Sequence, residues 1–479
     1  MGLPAKYLPR ATPLDPAEDP PGSVDPLGTL GPAERIAEVL FPGFTARMWR
    51  PRLLTFVAVA ALVAERAKSK LSSPEDGSLA ARLSFERLFV SAVVRQHVRE
   101  PDNWQRATRR LPGSLLARRA LLSGDTLLGR TNFLKGQAVN GPYGVVARLA
   151  RHLGVIDEDD VLGRNGEELL LAWSADKELP GLLDEDNSGS AGKQWLDRFT
   201  QATVAHLVEQ QWRSPGWSGW QELAEPLRPD NVGKRERTIL HSLLGGDPIR
   251  GRCIELLCEP NAIAVYRGAS DGGRGEQDRK VLLEALLPAL LVNERETDRV
   301  IDLTIRLADA YEEVASHFET AFNCLLWGLT RRGGQAKPFE IEADKQLLPV
   351  FRSLCRQLPG ASRRLRDLIE KVPAAPQIAD RNPLEPLDVI ASQATTGGES
   401  LTRLIEIIMA RHRDVQTSKG KGMWIEPGER WTLMPGFGLA SDVPPQSEVR
   451  YLHTFRVPNA YSFLAELGQS GVEVPDGEA

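Results

Sequence analysis

The chain has 479 residues, 42% hydrophobic and 26% charged, a length that exceeds one ordinary core and calls for two to four domains. Its 59 Lys and Arg are outnumbered by 64 Asp and Glu, so a net charge of −5 excludes a globally basic nucleic-acid coat and confines any such site to a local patch. Four cysteines (Cys253, Cys258, Cys324, Cys355) without zinc spacing exclude a disulfide scaffold and read as buried, reduced thiols.

In chain order, residues 1–26 form a Pro- and Asp-rich arm with no apolar run, neither a signal peptide nor a membrane span, and are expected to be disordered. A short helix over Gly31–Leu40 ends at Phe41-Pro42-Gly43-Phe44-Thr45, because Pro and Gly together impose a turn. Two long helices are predicted next, Pro51–Lys70 and Ser78–Arg99. The first is apolar nearly all round and reads as a core helix. In the second, Arg82, Glu86, Arg87 and Arg95 predict a solvated side. The longest apolar run, Leu53–Ala64, falls short of the ~20 residues needed to cross a bilayer, so no membrane partner and a cytoplasmic location are expected.

The stretch Arg95–Trp173 is the most informative. From Arg95 to His152 it holds ten Arg and one Lys against Glu100, Asp102 and Asp125, and from Asp157 to Asp186 eleven acids against Arg164 and Lys177. Within it, Asn140-Gly141-Pro142-Tyr143 starts a helix whose Val145, Val146, Leu149 and Leu153 share a face, with Gly154 as the stop. A short hairpin around Asp157–Asp160 and a second helix, Glu167–Trp173, follow. Helix, glycine stop, hairpin and closing helix is the order of a winged helix-turn-helix, in which Arg148, Arg151 and His152 would face DNA. The same residues also fit an amphipathic helical hairpin with solvated arginines.

Beyond an acidic linker at Gly181–Gly192, the pattern is helical: Gln194–Gln211, Arg235–Leu244, Pro248–Glu259, Glu276–Asn293, and a long helix over Glu294–Thr330. Trp212, Trp217 and Trp220 around Ser214-Pro215-Gly216 are expected to pin a loop onto a core. Helices near Ile341–Leu358 and Ser362–Lys371 precede a Pro-rich break, and Glu399–His412 is the last before a change of texture. Met423–Glu426 and Trp431–Met434 then predict a β-hairpin, Val449–His453 a third strand, and Ala460–Leu467 a final helix. The expected fold is mainly α, a multi-helix protein with an embedded winged helix-turn-helix and a small C-terminal β-hairpin-containing subdomain. The expected domains are residues 27–180, 193–372 and 384–479.

Catalytic motifs are sparse. Gly268–Gly275 is Gly-rich but lacks the Gly-Lys-Ser/Thr ending of a phosphate loop. Pro229-Asp230 with Asp278-Arg279-Lys280 matches a loose nuclease pattern in which carboxylates hold Mg²⁺ and a lysine steadies water. His317-x-Glu319 lies on the long helix, where the two side chains diverge. No catalytic residue, metal ligand or cofactor is assigned. The candidate nucleic-acid contacts are Arg118, Arg119, Arg130, Lys135, Arg148, Arg151 and His152 in the central stretch, with Arg411, Arg413, Lys419 and Lys421 near the C-terminal hairpin.

Several segments resemble an uncharacterised domain-of-unknown-function family of bacterial anti-phage defence islands. They are Leu27-Gly28-Thr29-Leu30, Leu40–Thr45, Arg47 with Arg52–Val57, Leu128-Gly129-Arg130, Tyr143…Leu149…His152–Ile156 and, more loosely, Phe318–Phe322. Members of that family are encoded beside a helicase and a phospholipase-D-like nuclease, as in DISARM- or Azaca-type modules. The resemblance implies protein partners of those kinds and carries over no catalytic residue. The expectation is a non-enzymatic DNA-binding or scaffolding subunit that meets double-stranded DNA. The alternatives are a Mg²⁺-dependent nuclease on Asp230, Asp278 and Lys280, and an adaptor whose central arginines pair with the acids after Asp157.

Overall fold

The computed structural model describes residues 25–71, 77–97, 104, 107–124, 128–129, 132–184, 189–208, 213–269, 273–291, 295–372 and 385–469. The arm expected over 1–26 lies outside them except for its last two residues. Helix makes up 67% of the structure, about twice the ~30–35% usual for a globular domain. No described helix is long and apolar enough to cross a membrane. The chain forms two compact units, one of Ala37–Ile301 with Arg456–Ala479, the other of Met1–Ile36 with Asp302–Phe455.

The first described helix, α1 (Leu30–Leu40), stops at Phe41-Pro42-Gly43. Gly43 takes a φ of 84°, and an added Cβ would meet Leu149 and His152 at 3.0 and 3.1 Å. α2 (Arg52–Lys68) centres its unit, and every residue from Arg52 to Ala64 is buried, as a helix without a polar face requires. α3 (Gly77–His97) packs along it, with Phe56 stacked on Phe85 and Phe89 at 5.8 and 4.4 Å. Its expected solvated side is not observed: Arg82 and Glu86 are buried because both serve the segments that follow, and Arg87 and Arg95 are half-buried.

Those helices are α4 (Ser114–Leu122), α5 (Gln137–Asn140), α6 (Pro142–His152) and α7 (Arg164–Asp176). Between α6 and α7 the hairpin consists of one antiparallel bridge, Ile156–Leu162. Its turn is built by Asp157, whose Oδ1 accepts from the amides of Asp159 and Val161. α8 (Ala191–Val208), α9 (Gly219–Leu227) and α10 (Lys234–Gly245) follow. Trp217 and Trp220 pack edge to face at 5.1 Å, and Trp220 Nε1 donates to Ser214 O, so these two pin their loop, while Trp212 lies outside the described residues. α11 (Pro248–Leu257), α12 (Pro260–Gly268) and α13 (Gly273–Lys280) lead through a π-helical turn, Val281–Leu286, into α14 (Leu287–Leu290).

α15 (Glu296–Thr330) is the predicted long helix. β1 (Gln335–Ala336) and α16 (Pro338–Glu342) precede α17 (Leu348–Ile369), which passes unbroken through Pro359 where two helices were expected. α18 (Glu385–Gly397) was not anticipated. It packs on α17, where Ser362 Oγ donates to Ala391 O at 2.6 Å. α19 (Leu401–Ser418) extends six residues beyond its expected end at His412. The sheet is small and antiparallel, with β3 (Trp431–Leu433) between β2 (Ile425–Glu426) and β1.

The predicted hairpin is therefore present, but its third strand is Gln335–Ala336 and not Val449–His453. The latter segment runs along α15, and side chains of that helix take its amides: Glu312 Oε2 accepts from Leu452 N at 2.5 Å, and Ser316 Oγ from Arg450 N at 3.3 Å. α20 (Val457–Glu466) closes the chain within the α2 unit. There Asn459 Nδ2 donates to Met48 O at 2.7 Å and Ser462 Oγ to Trp49 O at 2.8 Å.

Candidate nucleic-acid interface

The predicted recognition helix α6 begins at Gly141, over which the buried Glu86 carboxylate caps the first turn. Tyr143 N donates to Glu86 Oε2 at 2.8 Å and Gln137 Nε2 to Oε1 at 2.7 Å. Burial, which disfavours the charge, raises the Glu86 pKa to about 7 despite those bonds. Tyr143, Val145, Val146 and Leu149 fill the core and leave α6 a narrow outer face.

The charges on that face already have acidic neighbours. Arg148, 57% exposed, meets Glu38 at 2.9 Å. Arg151 donates to Asp160 of the hairpin turn, and Arg82 reaches the same carboxylate at 3.0 Å. His152 lies 3.9 Å from Asp247, and burial with the nearby Arg250 pushes its pKa below the usual histidine value. A phosphate arriving at α6 would have to displace these carboxylates. Arg118 lies over the Trp104 ring at 4.8 Å, Arg119 and Lys135 are exposed, and Arg130 falls outside the described residues.

Near the hairpin, Arg411 points inward. It donates to Gln393 Oε1 at 2.9 Å and Gly28 O at 3.2 Å, and burial lowers its pKa. Lys419 holds Asp25 O at 2.9 Å, Arg413 pairs with Asp414 at 3.1 Å, and Lys421 is exposed. Arg411 and Lys419 thus brace the fold of their own unit.

One basic surface escaped the sequence reading. On α17, Arg352, Arg356, Arg363 and Arg366 are all exposed, and none has an ion pair or side-chain hydrogen bond among the described residues. At 100° per residue they fall within roughly an 80° arc, and at 1.5 Å rise they span about 21 Å. Phe351, Leu354, Leu358, Ala361 and Leu365 bury the opposite side, so packing fixes which way the stripe faces. Pro359 and Gly360 leave its middle without a long side chain. Asp367 and Glu370 stand only at its C-terminal end, and Arg364, beside the arc, is taken by Glu313. The signal was in the sequence as arginines at helical spacing. It was hidden by ending the helix at Pro359.

The other chemistries sit as follows. Asp230 accepts from Arg228 Nε at 2.6 Å, whereas Asp278 is wholly buried on α13, with Lys280 half-buried at its end. Among the described residues no three His, Cys, Asp or Glu side chains group to hold a metal ion. His317 is fully buried, and neither of its ring nitrogens has a hydrogen-bond partner among the described residues. Thr29, His453 and Glu312 form a relay of the kind that activates a nucleophile: His453 Nδ1 is 2.6 Å from Glu312 Oε1, and Nε2 is 3.2 Å from Thr29 Oγ1. Thr29 is only 4% exposed and its hydroxyl also reaches Asp25 at 3.3 Å, so the relay fastens the segment before α1 onto α15. Cys253 and Cys324 are buried free thiols, and Cys258 and Cys355 are half-buried. No known protein family, curated protein or solved structure matches this chain.

Proposed function

We propose that the chain is a cytoplasmic, non-enzymatic DNA-binding subunit of a bacterial defence complex, and that α17 is the surface that meets the phosphate backbone. The stripe of four exposed arginines, none of them ion-paired among the described residues, carries this reading. Guanidiniums without a carboxylate partner have no ion pair to break when they take a phosphate, and each such contact releases counterions from the duplex. Contacts of this kind position a protein without reading bases, so the binding is sequence-independent. The sequence resemblance supports the defence assembly and its helicase or nuclease partners.

The order of α6, one-bridge hairpin and α7 supports the winged-helix reading as a structural module, its arginines committed to Glu38 and Asp160. The pairing of Arg151 with Asp160 favours the adaptor reading for that stretch alone. Fluorescence anisotropy with a labelled duplex tests the proposal. The triple variant Arg352→Ala/Arg356→Ala/Arg363→Ala is expected to bind at least tenfold more weakly with an unchanged circular dichroism spectrum. Equal affinity refutes α17 as the surface, and saturable binding to an acidic protein in place of DNA replaces the reading with the adaptor.

A further inference from the structure

A cleft of about 220 Å³ lies within the α2 unit, and none of the residues predicted to bind nucleic acid lines it. Arg50, Arg109, Arg110 and Arg237 line it against two carboxylates, Asp230 and Glu466. Asp230 is committed to Arg228. Among the side chains that line it, four guanidiniums stand beside two carboxylates in a partly enclosed space. Burial, and to a lesser degree the nearby Arg109, Arg274 and Arg50, depress the Arg110 pKa to about 10.

The cleft is built, not incidental. Arg110 takes a φ of 56°, a left-handed conformation that costs a non-glycine residue energy and that the surroundings must enforce. Its guanidinium lies 3.8 Å from the Trp49 ring centroid and donates to Ser462 Oγ at 3.1 Å. Arg50 donates Nε to Arg109 O at 2.8 Å and Nη1 to Glu466 Oε1 at 2.6 Å. The wall formed by Pro229–Val232 is set by the wholly buried Arg52, which holds Asn231 O at 2.6 Å and also bonds Pro226 O. Glu466 is nearly buried, and its Oε2 has no hydrogen-bond partner among the described residues.

We propose that this cleft binds a tetrahedral oxyanion, the phosphate group of a small phosphomonoester or free phosphate, and that Glu466 releases Arg50 to it by taking up one proton from solvent. The volume is below the ~300–1,000 Å³ that encloses a whole small-molecule ligand, so a single anionic group enters and the remainder stays outside. Arginine forks suit such a group because two N–H bonds run parallel to two of its oxygens. Glu466 is the counter-ion of Arg50. An entering dianion replaces it, and the displaced carboxylate, facing the anion, is stable only when protonated. Arg50, Arg110 and Asp230 are the charged groups around Glu466, and burial sets its pKa at about 7 before any ligand arrives. The proposal is independent of α17 and of DNA binding.

Sulfate is the first probe, because it stays a dianion across the pH range in which Glu466 titrates. Calorimetry on the full chain at pH 8, in two buffers of different ionisation enthalpy, is expected to show saturable sulfate binding with uptake of close to one proton. Affinity should be up to about tenfold higher at pH 6. Glu466→Gln should bind at pH 8 as the wild type does at pH 6, with no proton uptake. Arg110→Gly, which removes the guanidinium yet suits the left-handed backbone, should bind at least tenfold more weakly at both pH values. Arg237→Gln supplies the same readout without touching that backbone. Inorganic phosphate and a nucleoside 5′-monophosphate distinguish the sources: tighter binding of the ester identifies a phosphomonoester, and equal binding identifies the free anion. Absence of saturable sulfate binding by the wild type, or binding unaffected in both arginine variants, overturns the site. Binding without proton uptake overturns the role of Glu466.

Discussion

Gly141 shows how tightly single positions are constrained around α6. A Cβ there would lie 2.0 Å from Glu86 Oε1, and the buried carboxylate cannot retreat without abandoning the cap. Gly141→Ala is therefore expected to destabilise the fold by about 1–3 kcal/mol, read as a lower midpoint of denaturation. Glu86 itself makes stability depend on pH. Its folded pKa, about 7, lies above the unfolded carboxylate value, so its contribution is complete below about 4.5 and is lost as pH rises through about 7. His206, beside Ser84 and lowered to about 4 by burial, has the opposite sign. Its contribution is complete above about 6.5 and is lost as pH falls toward about 4. The two windows overlap, so the opposing slopes should leave wild-type stability nearly level between about pH 4.5 and 6.5, and Glu86→Gln should unmask the fall toward acid pH that His206 alone produces. A pH profile unchanged by Glu86→Gln would show that Glu86 does not titrate in that range. None of this was legible beforehand, since Arg82 and Glu86 look like an ordinary wet face until α6 and the Asp160 turn are placed on them.

Helices were legible where an apolar period ran uninterrupted, and misread where a local breaker was outvoted by packing. α2 follows directly from Leu53–Ala64. In contrast, Pro359 forfeits one hydrogen bond inside α17, but the helix continues because Phe351, Leu354, Leu358, Ala361 and Leu365 form one apolar stripe across it. Reading a break there divided the arginine stripe between two unrelated segments. The segment Val449–His453 has strand-like composition, yet its amides are taken by Glu312 and Ser316, a long-range solution that no local pattern reveals. Between helices, the most exacting connection is the loop before α10. Arg52 holds Glu236 at 2.5 Å with both side chains fully buried, and Thr55 Oγ1 donates to the same carboxylate at 2.6 Å. Removing one partner strands a buried charge, so Arg52→Leu is expected to cost about 3–5 kcal/mol in chemical denaturation. A loss below ~1 kcal/mol would mean the network is not the anchor of that loop.

Taken over its full length, the chain carries a net charge of −5, and any affinity for DNA must come from surfaces whose positive charge is not already answered by neighbouring acids. Composition confines any such surface to a local patch and points to the stretch richest in arginine, where the fold pairs Arg148 and Arg151 with carboxylates. Local density of arginine and availability of arginine are different quantities, and only tertiary structure separates them. The most direct test is the salt dependence of duplex binding, measured for the wild type, for Arg148→Ala/Arg151→Ala, and for Arg352→Ala/Arg356→Ala/Arg363→Ala. Each phosphate contact contributes about 0.9 to the slope of log affinity against log salt. The α17 variant is expected to lose between two and three units of that slope, scaled as ~0.9 per contact, and the α6 variant to keep the wild-type slope. A wild type without salt-dependent binding, or a loss of slope in the α6 variant alone, would contradict the assignment of the interface to α17.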